Sequence, residues 1–183
     1  MTATDRDRDY AEFIGGQLSA LRRLAYMLCH DWHRADDLVQ VTATRLYLHW
    51  GKAAASSNPD AYMRTILFRE FVHEQRTSWA RRVTVTGDLP VRPAPQADPD
   101  AAVDLEPRIA ALPPRQRAVL VLRFYCDQSV AQAAGILGCS EGNVKSQTAR
   151  ALAALRQSPG IQAYAGETGP ESRHPYREVT DHA

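Results

Sequence analysis

Four prolines, Pro90, Pro93, Pro95 and Pro99, fall within a single stretch of the chain. Each lacks a backbone N–H and fixes φ, so together they exclude a regular helix or strand interior there. Gly87 and the aspartates Asp88, Asp98, Asp100 and Asp104 complete a segment, residues 83–104, that reads as an extended linker. It divides a 183-residue chain into two blocks, so two small domains are expected over 10–82 and 105–157. Beyond Ser158 the chain holds Pro159, Pro170 and Pro175 with Gly160, Gly166 and Gly169, and residues 158–183 read as a disordered tail.

Composition narrows the class. At 44% hydrophobic and 23% charged, the chain is neither wholly disordered nor fibrous. Its longest aliphatic run, Ala118 to Leu122, is far short of the roughly 20 residues of a membrane span. The N-terminus alternates charges and has no apolar segment of the secretory type. Three cysteines, Cys29, Cys126 and Cys139, form no C-x-x-C pair, which fits a reducing cytoplasm. Cys29, His30 and His33 could sketch a metal cluster, but a structural zinc site needs four ligands. A buried thiol beside two partly exposed helix-end histidines is the simpler reading, with no metal and no cofactor expected.

The net charge of +1 hides an alternation. Lys and Arg exceed Asp and Glu by 12 to 10 in residues 1–82 and by 7 to 3 in 105–157. They are outnumbered 1 to 4 in the linker and 2 to 4 in the tail. Two basic blocks between acidic ones hint at a polyanionic partner.

Both blocks read as helical. Ile14, Leu18, Leu21, Ala25 and Leu28 recur at one face of a helix, which Gly15 and Gly16 weaken early on. Asp31 can cap a second helix, with Ala35, Leu38 or Val39, Ala43, Leu46 and Trp50 at helical spacing. A loop is expected over 51–57. Asn58-Pro59 then supplies the N-cap and first-position proline of a third helix bearing Tyr62, Ile66, Leu67 and Phe71. In the second block, Pro113-Pro114 ends one short helix and opens another, with Val119, Leu122 and Tyr125 or Cys126 on one face. Ser129-x-x-Gln132 is a capping box, whose helix carries Val130, Ala134 and Leu137. Gly138 suits a left-handed closing residue. Ser140 caps a last helix with Val144, Ala151 and Leu155 inward.

Two short helices joined by a Gly-containing turn form the helix-turn-helix pattern. Its second helix would present Glu141, Asn143, Lys145, Ser146, Gln147 and Arg150 to a major groove, where Arg and Lys suit phosphate or guanine and Gln suits adenine. Periodicity alone also fits a small bundle with a solvated polar face, the weaker of the two readings. In the third helix, Arg64, Phe68, Arg69, Phe71, His73, Arg76, Trp79, Arg81 and Arg82 mix cations with rings, a pattern for single-stranded nucleic acid. Phe68 and Phe71 could instead be core, and Glu70 and Glu74 dilute the charge. Asp36, Asp37 and Gln40 lie within a turn of one another, where acidic residues also compensate a helix dipole. No phosphate loop, dinucleotide fingerprint or H-E-x-x-H motif occurs, and no catalytic residue is assigned.

These blocks, in this order, resemble the sigma-70 family of the extracytoplasmic-function group, near its SigE-like branch. Asp31-Trp32-His33-Arg34-Ala35-Asp36-Asp37-Leu38-Val39-Gln40 is similar to the segment of region 2 that docks on core RNA polymerase. Leu112-Pro113-Pro114-Arg115-Gln116-Arg117 is similar to the start of region 4. Leu137-Gly138-Cys139-Ser140-Glu141-Gly142-Asn143-Val144-Lys145-Ser146-Gln147-Thr148-Ala149-Arg150 is similar to its recognition segment. The resemblance implies an all-α protein of two small helical domains joined by a flexible linker, acting as a promoter-specificity subunit and not as an enzyme. It implies polymerase contacts by Asp37, Leu38 and Gln40 with Asp36 nearby. It implies −10 contacts by Arg64, Arg69, His73, Arg76 and Trp79. For the −35 element it implies Lys145, Ser146, Gln147 and Arg150, with Arg115 and Arg117 on backbone phosphate. Relatives commonly carry asparagine where Arg69 stands. The implied partners are core RNA polymerase, promoter DNA and an anti-sigma factor, with the free chain monomeric, cytoplasmic and not inserted in a membrane. The rival is a stand-alone helix-turn-helix regulator whose first block senses a ligand or dimerises.

Overall fold

In the computed structural model, described over residues 3–85 and 105–157 with side chains 76–85 left aside, every described element is helical. The first half holds α1 (Ala3–Cys29), α2 (Trp32–Leu48), α3 (Trp50–Ala54) and α4 (Pro59–Val85). The second holds α5 (Leu105–Ala111), α6 (Pro114–Leu120), a π-helical turn (Val121–Tyr125), α7 (Val130–Leu137) and α8 (Glu141–Arg156).

Local chemistry sets most of these ends. Asp31 accepts a hydrogen bond from the Arg34 backbone N–H at 3.1 Å, and Asn58 does the same for Ala61 at 2.9 Å, ahead of Pro59. Ser129 and Gln132 close both bonds of the capping box, at 3.1 and 2.7 Å. Gly138 closes α7 at φ +63°, a left-handed conformation that glycine adopts without the strain a Cβ would bring. Ser140 caps α8 through Asn143.

Five expectations change. The loop over 51–57 begins as α3, because the Trp50 indole is buried and its Nε1 donates to Asp9 of α1 at 3.0 Å, which nucleates a turn. Helix α1 starts at Ala3, ahead of residue 10, since Arg6 donates to the Tyr47 carbonyl and the Tyr47 hydroxyl to Asp7. Helix α4 runs to Val85 and takes in the first three residues of the expected linker, which precede its first proline. The rest of that linker and the tail over 158–183 lie outside the described residues. Finally, α6 loosens into a π-turn, leaving Phe124 and Tyr125 exposed while Cys126 is partly buried. Leu18, on the expected inner face of α1, is exposed too.

The two halves share one interior. Leu21, Leu28, Leu46, Leu67, Phe68 and Phe71 of the first half join Val119, Leu122, Ala133 and Val144 of the second in a continuous apolar cluster. A smaller cluster of Leu112, Leu120 and Ala151 fixes α8 against α6. Burying each large side chain contributes roughly 1.5–3 kcal/mol, so the core of each half also favours the contact between them.

Candidate nucleic-acid interface

Three surfaces emerge from this frame. On α2, Asp37 and Gln40 are exposed one turn apart. Leu38, between them, is 4% exposed. Its side chain belongs to the core, so a polymerase contact through it is corrected: period 3.6 turns position 38 inward when 37 and 40 face out. Asp36 is half-buried and receives a bidentate pair from Arg22 of α1, at 2.5 and 3.0 Å. That hydrogen bonding holds the Asp36 carboxyl below its ordinary range. The Arg22 guanidinium also lies 4.6 Å from the exposed Trp32 ring, which stacks on Tyr26 at 4.1 Å. Arg22 escaped the sequence reading because it sits one helix away from the motif.

On α4, Phe68 and Phe71 are both 0% exposed and so are core, unable to stack on bases. Glu70 pairs with Arg45 and Glu74 with Arg34 of α2, each at 2.9 Å. The carboxylates that dilute the segment's charge therefore face α2. His73 and Arg69 are exposed. Arg64 is half-buried beside Asp60 at 3.5 Å. Arg76 and Trp79 fall on α4 where side chains are outside the described residues. Arg69 crosses to the second half and donates to the carbonyls of Ile136 and Gly135, at 3.0 and 3.2 Å.

On α8, Lys145, Ser146 and Arg150 are exposed and Gln147 half-buried, while Val144 and Ala151 hold the opposite face in the core. Arg115 is exposed at the start of α6. Arg117 is 8% exposed and donates to the carbonyls of Ile109, Ala110, Leu112 and Leu28. Its assignment to phosphate is thus corrected: four backbone acceptors at helix ends already use the guanidinium. Among the described residues, no group of His, Cys, Asp and Glu is arranged to hold a metal ion. Cys29 is buried, which pushes its thiol up to about 11, and His30 turns inward against α5.

A polar α8 face, carried by a capped helix-turn-helix and set beside a first half that exposes Asp37 and Gln40 on α2, is a two-part arrangement. Residues 16–81 match the family model "Sigma-70 region 2", and residues 103–155 match "Sigma-70, region 4". The RNA polymerase sigma-E factor of Streptomyces avermitilis is 33% identical over 156 residues, covering 81% of this chain and 84% of its own. The chain belongs to the sigma-70 family, in its extracytoplasmic-function group. The ECF RNA polymerase sigma factor SigL of Mycobacterium tuberculosis is 33% identical over 145 residues, covering 75% of this chain and 81% of its own. A solved complex of the sigma factor RpoE with the anti-sigma factor NepR, from Bartonella quintana, superposes with a TM-score of 0.62 at 28% identity. It covers 82% of this chain and 96% of the matched one. This sigma factor therefore binds core RNA polymerase and directs it to promoters. Its first half is a region 2, in place of the sensing or dimerising domain that the rival regulator requires. No described helix is long and apolar enough to cross a membrane.

Proposed function

We propose that this sigma factor docks on core polymerase through Asp37 and Gln40 of α2, with the Arg22-braced Asp36 beside them. The exposure of Asp37 and Gln40 one turn apart on α2, away from the face that buries Ala35, Leu38, Val39, Thr42 and Leu46, carries this reading. The exposed Arg69 and His73 and the half-buried Arg64 of α4, with Arg76 and Trp79 further along the same helix, take the −10 element. Lys145, Ser146, Gln147 and Arg150 read the −35 element in the major groove, and Arg115 holds a flanking phosphate. The chain performs no chemistry of its own, needs no cofactor and works as a cytoplasmic monomer until it meets polymerase. An anti-sigma factor is a further expected partner, supported by the solved relative bound to one.

Run-off transcription from sheared genomic DNA, with purified core polymerase and this chain, tests the reading. New discrete transcripts that require the chain are expected. Asp37→Ala combined with Gln40→Ala should weaken core binding at least tenfold with unchanged circular dichroism. Unaltered binding by that double variant would remove those residues from the interface.

A further inference from the structure

We propose that Arg22 of α1 is a positioning residue for polymerase docking: together with Asp36 it sets the exposed Trp32 ring at the head of the docking face of α2, and Trp32 is a contact on core polymerase. This role rests on the reading above that α2 is the docking helix.

Trp32, Asp36 and Gln40 follow one another at four-residue steps and so form a single row along α2. Arg22 engages the first two members at once. Its Nε and Nη2 donate to the two Asp36 carboxylate oxygens, at 2.5 and 3.0 Å, and its guanidinium carbon lies 4.6 Å from the centre of the Trp32 ring. One turn further along α1, the Tyr26 ring stacks on the same indole at 4.1 Å, 17° from parallel. Three flat groups are thereby held together, and the carboxylate fixes the plane of the guanidinium.

The fold has little need of this assembly. The Arg22 and Asp36 side chains are both about half in solvent, and ion pairs so exposed add little to stability. Trp32 is itself 45% exposed, whereas Trp50 is buried, with its indole N–H bonded to Asp9. A tryptophan needed only for packing would be covered in the same way. What the brace does hold is a large aromatic surface, ordered before binding, of the kind that anchors protein interfaces at small entropic cost. Its place one turn ahead of Asp36 and Asp37 on the same helix makes core polymerase the occupant. Asp36, already paired with Arg22, serves to hold that guanidinium rather than to present a free carboxylate.

A double-mutant cycle in core binding tests this, with full-length chains competing against the radiolabelled parent for purified core polymerase. Trp32→Ala should weaken binding about tenfold, the scale of an interface anchor, and Trp32→Phe, which keeps a ring beside Arg22, should weaken it less. Arg22→Ala should cost the parent about fivefold, the scale of a cation–π contact, and cost the Trp32→Ala chain nothing further. Asp36→Asn should repeat that pattern. Equal losses from Arg22→Ala with and without the indole would show that Arg22 acts apart from Trp32, and would overturn the positioning role. Near-ultraviolet circular dichroism follows the stack of Tyr26 and Trp32 in the free chain. Arg22→Ala should change that spectrum while the urea midpoint holds; an unchanged spectrum would mean that Arg22 does not set the ring. Parental binding by both Trp32 variants, with loss in Asp37→Ala combined with Gln40→Ala, would defeat the tryptophan contact and leave the docking helix standing. Loss in Trp32→Ala alone would keep the contact and remove Asp37 and Gln40, so the two failures are told apart.

Discussion

Arg115 and Arg117 stand two positions apart in one short helix, and their environments are opposite. Arg115 projects into solvent. Arg117 sits under the chain and supplies donors to four carbonyls, three of them around the end of α5. Replacing Arg117 with Met keeps the stem but strands those acceptors, so a loss of about 2–4 kcal/mol in urea denaturation is expected. Arg115→Ala should leave stability within about 0.5 kcal/mol and instead lower the salt slope of holoenzyme binding to promoter DNA by about 1. If Arg117→Met also changed the salt slope at unchanged stability, its burial would be wrong. Sequence could not separate the two, since both are arginines within three residues of Pro114. What distinguishes them is a carbonyl 89 residues away, and such contacts leave no local mark.

Elements with local causes were readable ahead of the fold. The capping box of α7, the left-handed Gly138, and the Asp31, Asn58 and Ser140 caps each need only residues within one turn. Because Gly138 carries φ +63°, Gly138→Ala should cost about 1 kcal/mol, and Ser140→Ala about the same through the lost cap on α8. Thermal melts of each variant check this, and additive losses would mark the turn as two independent devices. Both variants should weaken −35 binding more than −10 opening, because they loosen the helix that carries Lys145 and Arg150. Elements with tertiary causes were not readable. The short α3 depends on an indole reaching Asp9; the π-turn is closed locally, by the Cys126 and Gln128 amides returning to Val121 and Leu122, but no residue pattern marks it. Leu38 was misassigned for a related reason. Its motif was recognised as a string, whereas the helix sorts the same string into an outward pair and an inward leucine.

At the scale of the molecule, the two blocks divided by the proline-rich segment were legible, and their mutual packing was not, because no motif encodes a surface shared by distant segments. One consequence of that packing is a pH response. His30 follows α1 with φ +50° and turns its ring toward the second half. Its Nδ1 lies 3.9 Å from Glu106, its ring 5.8 Å from that of Tyr26, and Arg117 is the cation nearby. The Nε2 atom is buried with no hydrogen-bond partner among the described residues. Burial first, then Arg117, lowers the pKa of His30, and Glu106 opposes them only in part. The unfolded chain therefore binds this proton more readily than the folded one. Stability from neutral His30 is complete above about pH 6.5, declines as pH falls below that value, and levels off once the folded form is protonated as well. His30→Asn, a residue that tolerates positive φ, should flatten the urea midpoint between pH 7 and pH 5. The parent's midpoint should fall over the same interval. Because His30 lies where α1 meets α5, protonation acts on the junction between the halves. A parent whose midpoint stays constant from pH 7 to pH 5 would mean that the His30 proton is shared equally by the folded and unfolded chains.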